Sequence, residues 1–81
     1  MPTILRLDGF KFVIWPRDHP PPHVHVFKAG TEVIIELGIE GEWPSVRETR
    51  GMSTRDITSA FDMAILHNKL FMEKWANIHK I

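Results

Sequence analysis

The first half of the chain alternates apolar and polar residues in short runs, and the last third repeats apolar residues every three or four positions. The first pattern predicts strands, the second a helix. "TILRL" and "FKFVIW" flank Asp8-Gly9, a pair that accepts the positive φ of a tight hairpin turn. Counting outward from that turn pairs Leu7 with Phe10, Leu5 with Phe12 and Thr3 with Ile14 on one apolar face. The other face pairs Arg6 with Lys11 and Ile4 with Val13, and two opposed cations make it partly wet. A second hairpin, "HVHVFK" and "TEVIIEL", turns at Ala29-Gly30. It sets Val26 opposite Val33 and Val24 opposite Ile35. On its reverse side it sets His23 opposite Glu36, His25 opposite Ile34 and Phe27 opposite Glu32. Strands are thus expected over residues 3–7, 10–15, 23–28 and 31–37. The Gly- and Pro-containing stretch 37–52 gives room for one short extra strand around Val46.

Ser53 is a good N-cap, and Asp56 three residues on forms an Asp version of the capping box, so a helix is expected from Thr54. Its apolar stripe runs through Ile57, Phe61, Ala64, Ile65, Phe71, Trp75 and Ile78, with His67 and Asn68 interrupting it. A single unbroken helix over this stretch is long for so small a domain, and the interruption predicts a kink or break near Asn68. The fold class that follows is α+β: two antiparallel β-hairpins forming a small sheet, with a C-terminal helical segment packed on one face.

Composition narrows the function classes. The chain has 81 residues, which suits one domain spanning 1–81. Such a chain buries only about 60% of its unfolded surface, so its stability margin is small. With 43% apolar and 25% charged residues it is too apolar for disorder. It has no cysteine, which removes disulfides and thiolate metal sites and suits a reducing cytoplasm. No signal peptide and no membrane-length apolar run is visible. Ten basic and ten acidic side chains balance, which argues against non-specific nucleic-acid binding while leaving room for a small basic patch.

The chemistry concentrates in "DHPPPHVHV", residues 18–26. The prolines at 16, 20, 21 and 22 end the second strand and hold the connection extended. His23 and His25 then share one face of a strand. Three readings stand side by side. In the plainest, Val24 and Val26 are buried, the histidines decorate an exposed face, and His23 bonds Glu36. In the second, His23 and His25 are an acid–base pair acting on RNA, with Arg6, Lys11 and Arg17 as phosphate contacts. In the third, the two imidazoles ligate a metal with Glu36, or with Asp18 and His19, completing the set. Two histidines without cysteines fall short of the four ligands of structural zinc, so neither a tight zinc site nor another cofactor is expected. Cupins and histidine-triad hydrolases carry similar spacings. The cupin glutamate comes too late here, at Glu32, and Phe27 stands where the third histidine of the triad would be. His67 is expected as a satisfied polar group at the helix interruption, and His79 as a solvated side chain near the chain end.

The opening "MPTILRLDGFKF", the "DHPPPHVHV" run and the tail from "GMSTRDI" to "EKWANIH" resemble the small bacterial proteins grouped as domain of unknown function 4160. The matching residues include Asp18, His19, Pro21, Pro22, His23, Val24 and His25. The resemblance implies a cytoplasmic protein encoded beside a second small protein, in some cases proposed as half of a toxin–antitoxin pair. It assigns no reaction and no catalytic residue. The leading expectation is therefore a toxin–antitoxin-type component that acts through a small cognate partner protein and contacts RNA through its histidine pair. The rival is a non-enzymatic module that docks a partner by a sheet edge or by its histidine face. A metal-dependent enzyme comes third. Asp18, His19 and Glu36 complete the candidate binding set.

Overall fold

The computed structural model describes residues 3–80. Five strands form one antiparallel sheet in chain order: β1 (Thr3–Leu7), β2 (Phe10–Val13), β3 (His23–Lys28), β4 (Thr31–Glu36) and β5 (Ser45–Arg50). Two helices follow, α1 (Thr54–Leu66) and α2 (Asn68–His79). The architecture is α+β as expected, but the two hairpins are not separate units. β2 pairs with β3 (Phe12 with Val26, Val13 with His25), and the extra strand near Val46 is a full edge strand.

Three tight turns connect neighbouring strands by the same device. Asp8-Gly9, Ala29-Gly30 and Glu40-Gly41 all take positive φ at both positions, the geometry whose twist matches paired strands. The register of β3 on β4 follows from its turn without a slip: His23 faces Glu36, His25 faces Ile34 and Val26 faces Val33. The first hairpin departs from the simple count. A bulge between Thr3 and Leu5 makes Val13, not Ile14, the partner of Thr3, and the pairing of Ile4 with Val13 is lost. β2 accordingly ends at Val13, and Ile14 enters the core from the connection that follows.

The helices cover one face. Phe10 and Phe12 of β2, Val24 and Val26 of β3, and Val33 and Ile35 of β4 are buried against Ala60, Ala64, Phe71 and Trp75. At the centre Phe12 meets Phe71 with ring centroids 5.1 Å apart. The buried positions of α1 are its small residues, so the helix backbone approaches the sheet closely, while Ile57 and Phe61 pack at its flanks. Ser53 caps α1 by accepting the Asp56 N–H at 3.1 Å. The Asp56 carboxylate does not close the capping box. It accepts from Lys28 Nζ at 3.2 Å and ties the helix start to the end of β3.

The helical segment breaks at His67, as the interruption predicts. The His67 N–H still reaches the Met63 carbonyl, and the His67 carbonyl accepts from Phe71. Its ring lies toward Phe71 and does not cap α2. Asn68 then reaches across to the loop after β4. Its Oδ1 accepts from the Gly38 N–H and its Nδ2 donates to the Gly38 carbonyl, both at 2.8 Å. Gly38 is required there, because a Cβ would stand 1.9 Å from the Glu42 carbonyl oxygen. His79 is not solvated as expected: its ring stacks on Trp75 at 3.9 Å, and its Nδ1 donates to the Trp75 carbonyl.

The second sheet face is drier than two opposed cations suggest. Val13 and Ile34 are buried on it beside the histidines. The connection from β2 to β3 is not an extended spacer. It turns at residues 15–18, with the Asp18 N–H on the Trp15 carbonyl at 3.0 Å, and passes a cis peptide between Pro20 and Pro21. The Pro22 carbonyl accepts from Leu37, which docks the end of this connection beside β4.

Candidate functional site

His23, His25 and Phe27 project from β3 to the face opposite the core valines, because strand side chains alternate. The turn at residues 15–18 carries Asp18 to them. Its Oδ2 accepts the Trp15 backbone N–H at 3.0 Å, which fixes the carboxylate before it meets either ring. Oδ2 then lies 3.5 Å from His23 Nε2 and 3.3 Å from His25 Nε2. The His25 Nε2 also stands 3.4 Å from Oδ1 of the same carboxylate.

The outer ring nitrogens are held differently. His23 Nδ1 lies 2.9 Å from the Pro21 carbonyl oxygen. A carbonyl only accepts, so this nitrogen carries a proton. His25 Nδ1 lies 2.8 Å from Glu32 Oε2, where the same argument puts a proton. Glu32 and Asp18 thus clamp His25 from both sides. The other oxygen of Glu32 faces Arg50 Nη1 at 3.5 Å. Arg50 also donates to Glu48 at 2.7 Å, and that hydrogen bond favours its charged form and raises its pKa above the ordinary arginine value.

The bonding partners of the two histidines differ from the simple cross-strand pairing on two counts. Glu36 faces His23 but does not bond it. Its Oε2 accepts from Arg47 Nε at 2.9 Å, while Arg47 Nη2 passes His23 Nδ1 at 3.5 Å, too far for a hydrogen bond with a nitrogen already donating to Pro21. His25 is not without a carboxylate partner, because Glu32 sits diagonally across the ladder from it. Burial still separates the two. His23 is 3% exposed and its ring lies 5.3 Å from that of Trp75. The His25 side chain retains 15% exposure and that of Asp18 14%.

The remaining candidates divide. His19, Arg6 and Arg17 are exposed and do not enter the cluster. Lys11 places its Nζ 5.4 Å from the Phe27 ring centroid, on the histidine side of the sheet. Glu32 and Arg47 belong to the site although the chain pattern did not single them out. The pairing of His25 with Ile34 carries the signal for Glu32, since positions two residues off a cross-strand pair are its diagonal neighbours. Four shallow surface grooves are lined by other residues, and neither histidine lines any of these four.

A second feature lies at the far edge of the sheet. All six residues of β5 are exposed, and among the described residues no strand lies beside its outer edge. Trp43 just before it is 73% exposed, and Leu66 at the end of α1 is 77% exposed. Trp43 and Pro44 line a groove of about 220 Å³ together with Ile65 and Asn68 at the helix break. Val46 pairs with Ile35 and therefore projects to the same side as the helices.

No helix among the described residues is long and apolar enough to cross a membrane. Neither the curated proteins nor the solved structures offer a match to this chain. The family model for a domain of unknown function, DUF4160, matches residues 9–76, which takes in the histidine strand, its aspartate loop, the β5 edge and nearly all of both helices; the chain belongs to that family.

Proposed function

We propose that this chain is a partner-binding module, the component of a toxin–antitoxin-type pair that acts by docking a small cognate protein on its β5 edge. One observation carries the reading: Trp43, 73% exposed, directly precedes an edge strand whose six residues are all exposed. An exposed aromatic side chain beside unpaired backbone groups favours strand addition, with main-chain bonds giving affinity and side-chain anchors giving specificity. The occupant is an extended segment of the partner that runs along β5 and seats an apolar side chain in the groove beside Trp43. The charges of β5 do not oppose it, since Arg47 is paired with Glu36, and Glu48 with Arg50.

The test is association with the protein encoded by the neighbouring gene, measured by calorimetry. Trp43→Ala should raise the Kd at least about thirtyfold, the loss typical of a tryptophan anchor. Ile65→Ala, on the groove wall beside Trp43, should weaken binding in the same direction, with the far-ultraviolet spectrum unchanged in both. Full-strength binding by the double variant would refute the docking surface. Growth arrest by the chain expressed alone, abolished by His25→Ala and indifferent to Trp43→Ala, would favour the RNA-directed reading. The observation behind that second reading is the proximity of Lys11, Phe27 and His25 on one sheet face.

A further inference from the structure

The geometry points to a divalent metal site formed by Asp18, His23 and His25, of the class that takes zinc or another imidazole-preferring first-row ion. One ligand atom from each residue lies within 4.8 Å of the other two. The spacings are informative. Ligands about 2.0–2.1 Å from a tetrahedral zinc lie about 3.3–3.4 Å from each other. Asp18 Oδ2 stands 3.5 Å from His23 Nε2 and 3.3 Å from His25 Nε2. A proton shared between either nitrogen and the carboxylate would draw them to about 2.7–2.9 Å. The outer bonds of the same rings do have hydrogen-bond lengths, 2.9 Å to Pro21 and 2.8 Å to Glu32. Both carboxylate–imidazole spacings thus suit an ion, the ligand nitrogens of the two imidazoles lie within 4.8 Å of each other, and the outer atoms are spaced for protons.

The surrounding groups fit the same role. Metal-ligating imidazoles usually donate their other N–H to a carbonyl or carboxylate, which fixes the tautomer and turns the free lone pair toward the ion. His23 does this with the Pro21 carbonyl and His25 with Glu32. The Asp18 carboxylate is oriented in turn by the Trp15 N–H. In the neutral form of both rings, two lone pairs and a carboxylate converge with no donor among them, and a cation resolves that repulsion. Arg47 does not supply it, because it lies at the Nδ1 side of His23 and is engaged by Glu36. Three protein ligands leave one tetrahedral position for water or a ligand atom, the layout of open zinc sites.

The experiment titrates untagged, chelator-treated full chain with Zn²⁺ and Co²⁺ by calorimetry. One equivalent per chain is expected, with visible d–d absorption of tetrahedral Co²⁺. Asp18→Asn should weaken binding at least tenfold, and Glu32→Gln, which within the cluster meets only the outer nitrogen of His25, tenfold to a hundredfold. Imidazole nitrogen resonances of the parent chain should show Zn²⁺ on Nε2 of His23 and His25, with both Nδ1 still protonated. Absence of saturable one-to-one binding, undiminished affinity in Asp18→Asn, or coordination at His19, His67 or His79 would each overturn the site. The resonance measurement uses the parent chain alone, so it decides the matter even if a variant fails to fold.

Discussion

His23 and His25 are two residues apart and have different tasks. His23 is enclosed, packed toward Trp75 and bonded to Pro21, whereas His25 spans two carboxylates near the surface. Truncating His23 removes buried ring volume and leaves the Pro21 carbonyl without its donor. His23→Ala should therefore cost about 2–3 kcal/mol. His25→Ala should cost about 1 kcal/mol, because Asp18 and Glu32 are close enough to solvent to be hydrated once the ring is gone. Urea unfolding of both variants measures the difference, and equal losses would show that burial is not what separates them. The register behind this contrast was legible in the chain, but the bonding partners were not. Counting from Ala29-Gly30 gives His23 opposite Glu36 correctly. It cannot reveal that Arg47, from a strand hidden in a glycine-rich stretch, takes that carboxylate. Nor does strand periodicity show that residues 15–18 turn back to deliver Asp18, since prolines restrict φ without fixing the path of a loop.

Among the elements, the strands and turns of the first half and the start of α1 could be read closely, because alternation, Asp-Gly and Ala-Gly pairs and a serine cap are local signals. What local signals missed are two register irregularities. The bulge near Ile4 shortens β2, and a second between Ile34 and Ile35 lets β5 join the sheet out of simple step. The break at residue 67 was also legible, though its use was not. Asn68 both opens α2 and closes the loop after β4 with two bonds to Gly38. Replacing it should leave a buried N–H and a buried carbonyl unanswered at once. Asn68→Ala is expected to cost about 2–3 kcal/mol. It should also speed amide exchange at residues 38–43 ahead of the rest of the sheet, while α1 keeps its protection. Uniform exchange in the variant would show that the loop is held by other means.

At the scale of the whole molecule, one face of the sheet carries the apolar layer under the helices, and the other carries paired charges around the histidines, with Val13 and Ile34 buried among them and His23 reaching Trp75 of α2. Nearly all the cohesion lies in the first. A chain of this length has a total stability of about 4–12 kcal/mol, and removing the Phe71 ring from the centre should cost about 3–5 kcal/mol. Phe71→Ala is thus expected to lower the thermal midpoint by roughly 15 °C or more, with sheet and helix signals melting together. A helix signal lost well before the sheet would mean that the helices dock as a separate unit. The single sheet, rather than two hairpins, is the part of the architecture that composition and periodicity could not supply. The pairing of β2 with β3 joins residues on either side of the proline-rich loop, and no turn signal spans it.

The three tryptophans divide between two settings. Trp75 is sealed between His23 and His79, while Trp43 and Trp15 face solvent. Intrinsic fluorescence is therefore a built-in two-channel reporter. An ion bound at His23 would perturb the blue-edge emission of the sealed indole, and a protein laid along β5 would shield the red-edge emission of Trp43 from iodide. With Trp15, which faces solvent next to Asp18, replaced by Phe, the two events can be told apart in one cuvette without a label.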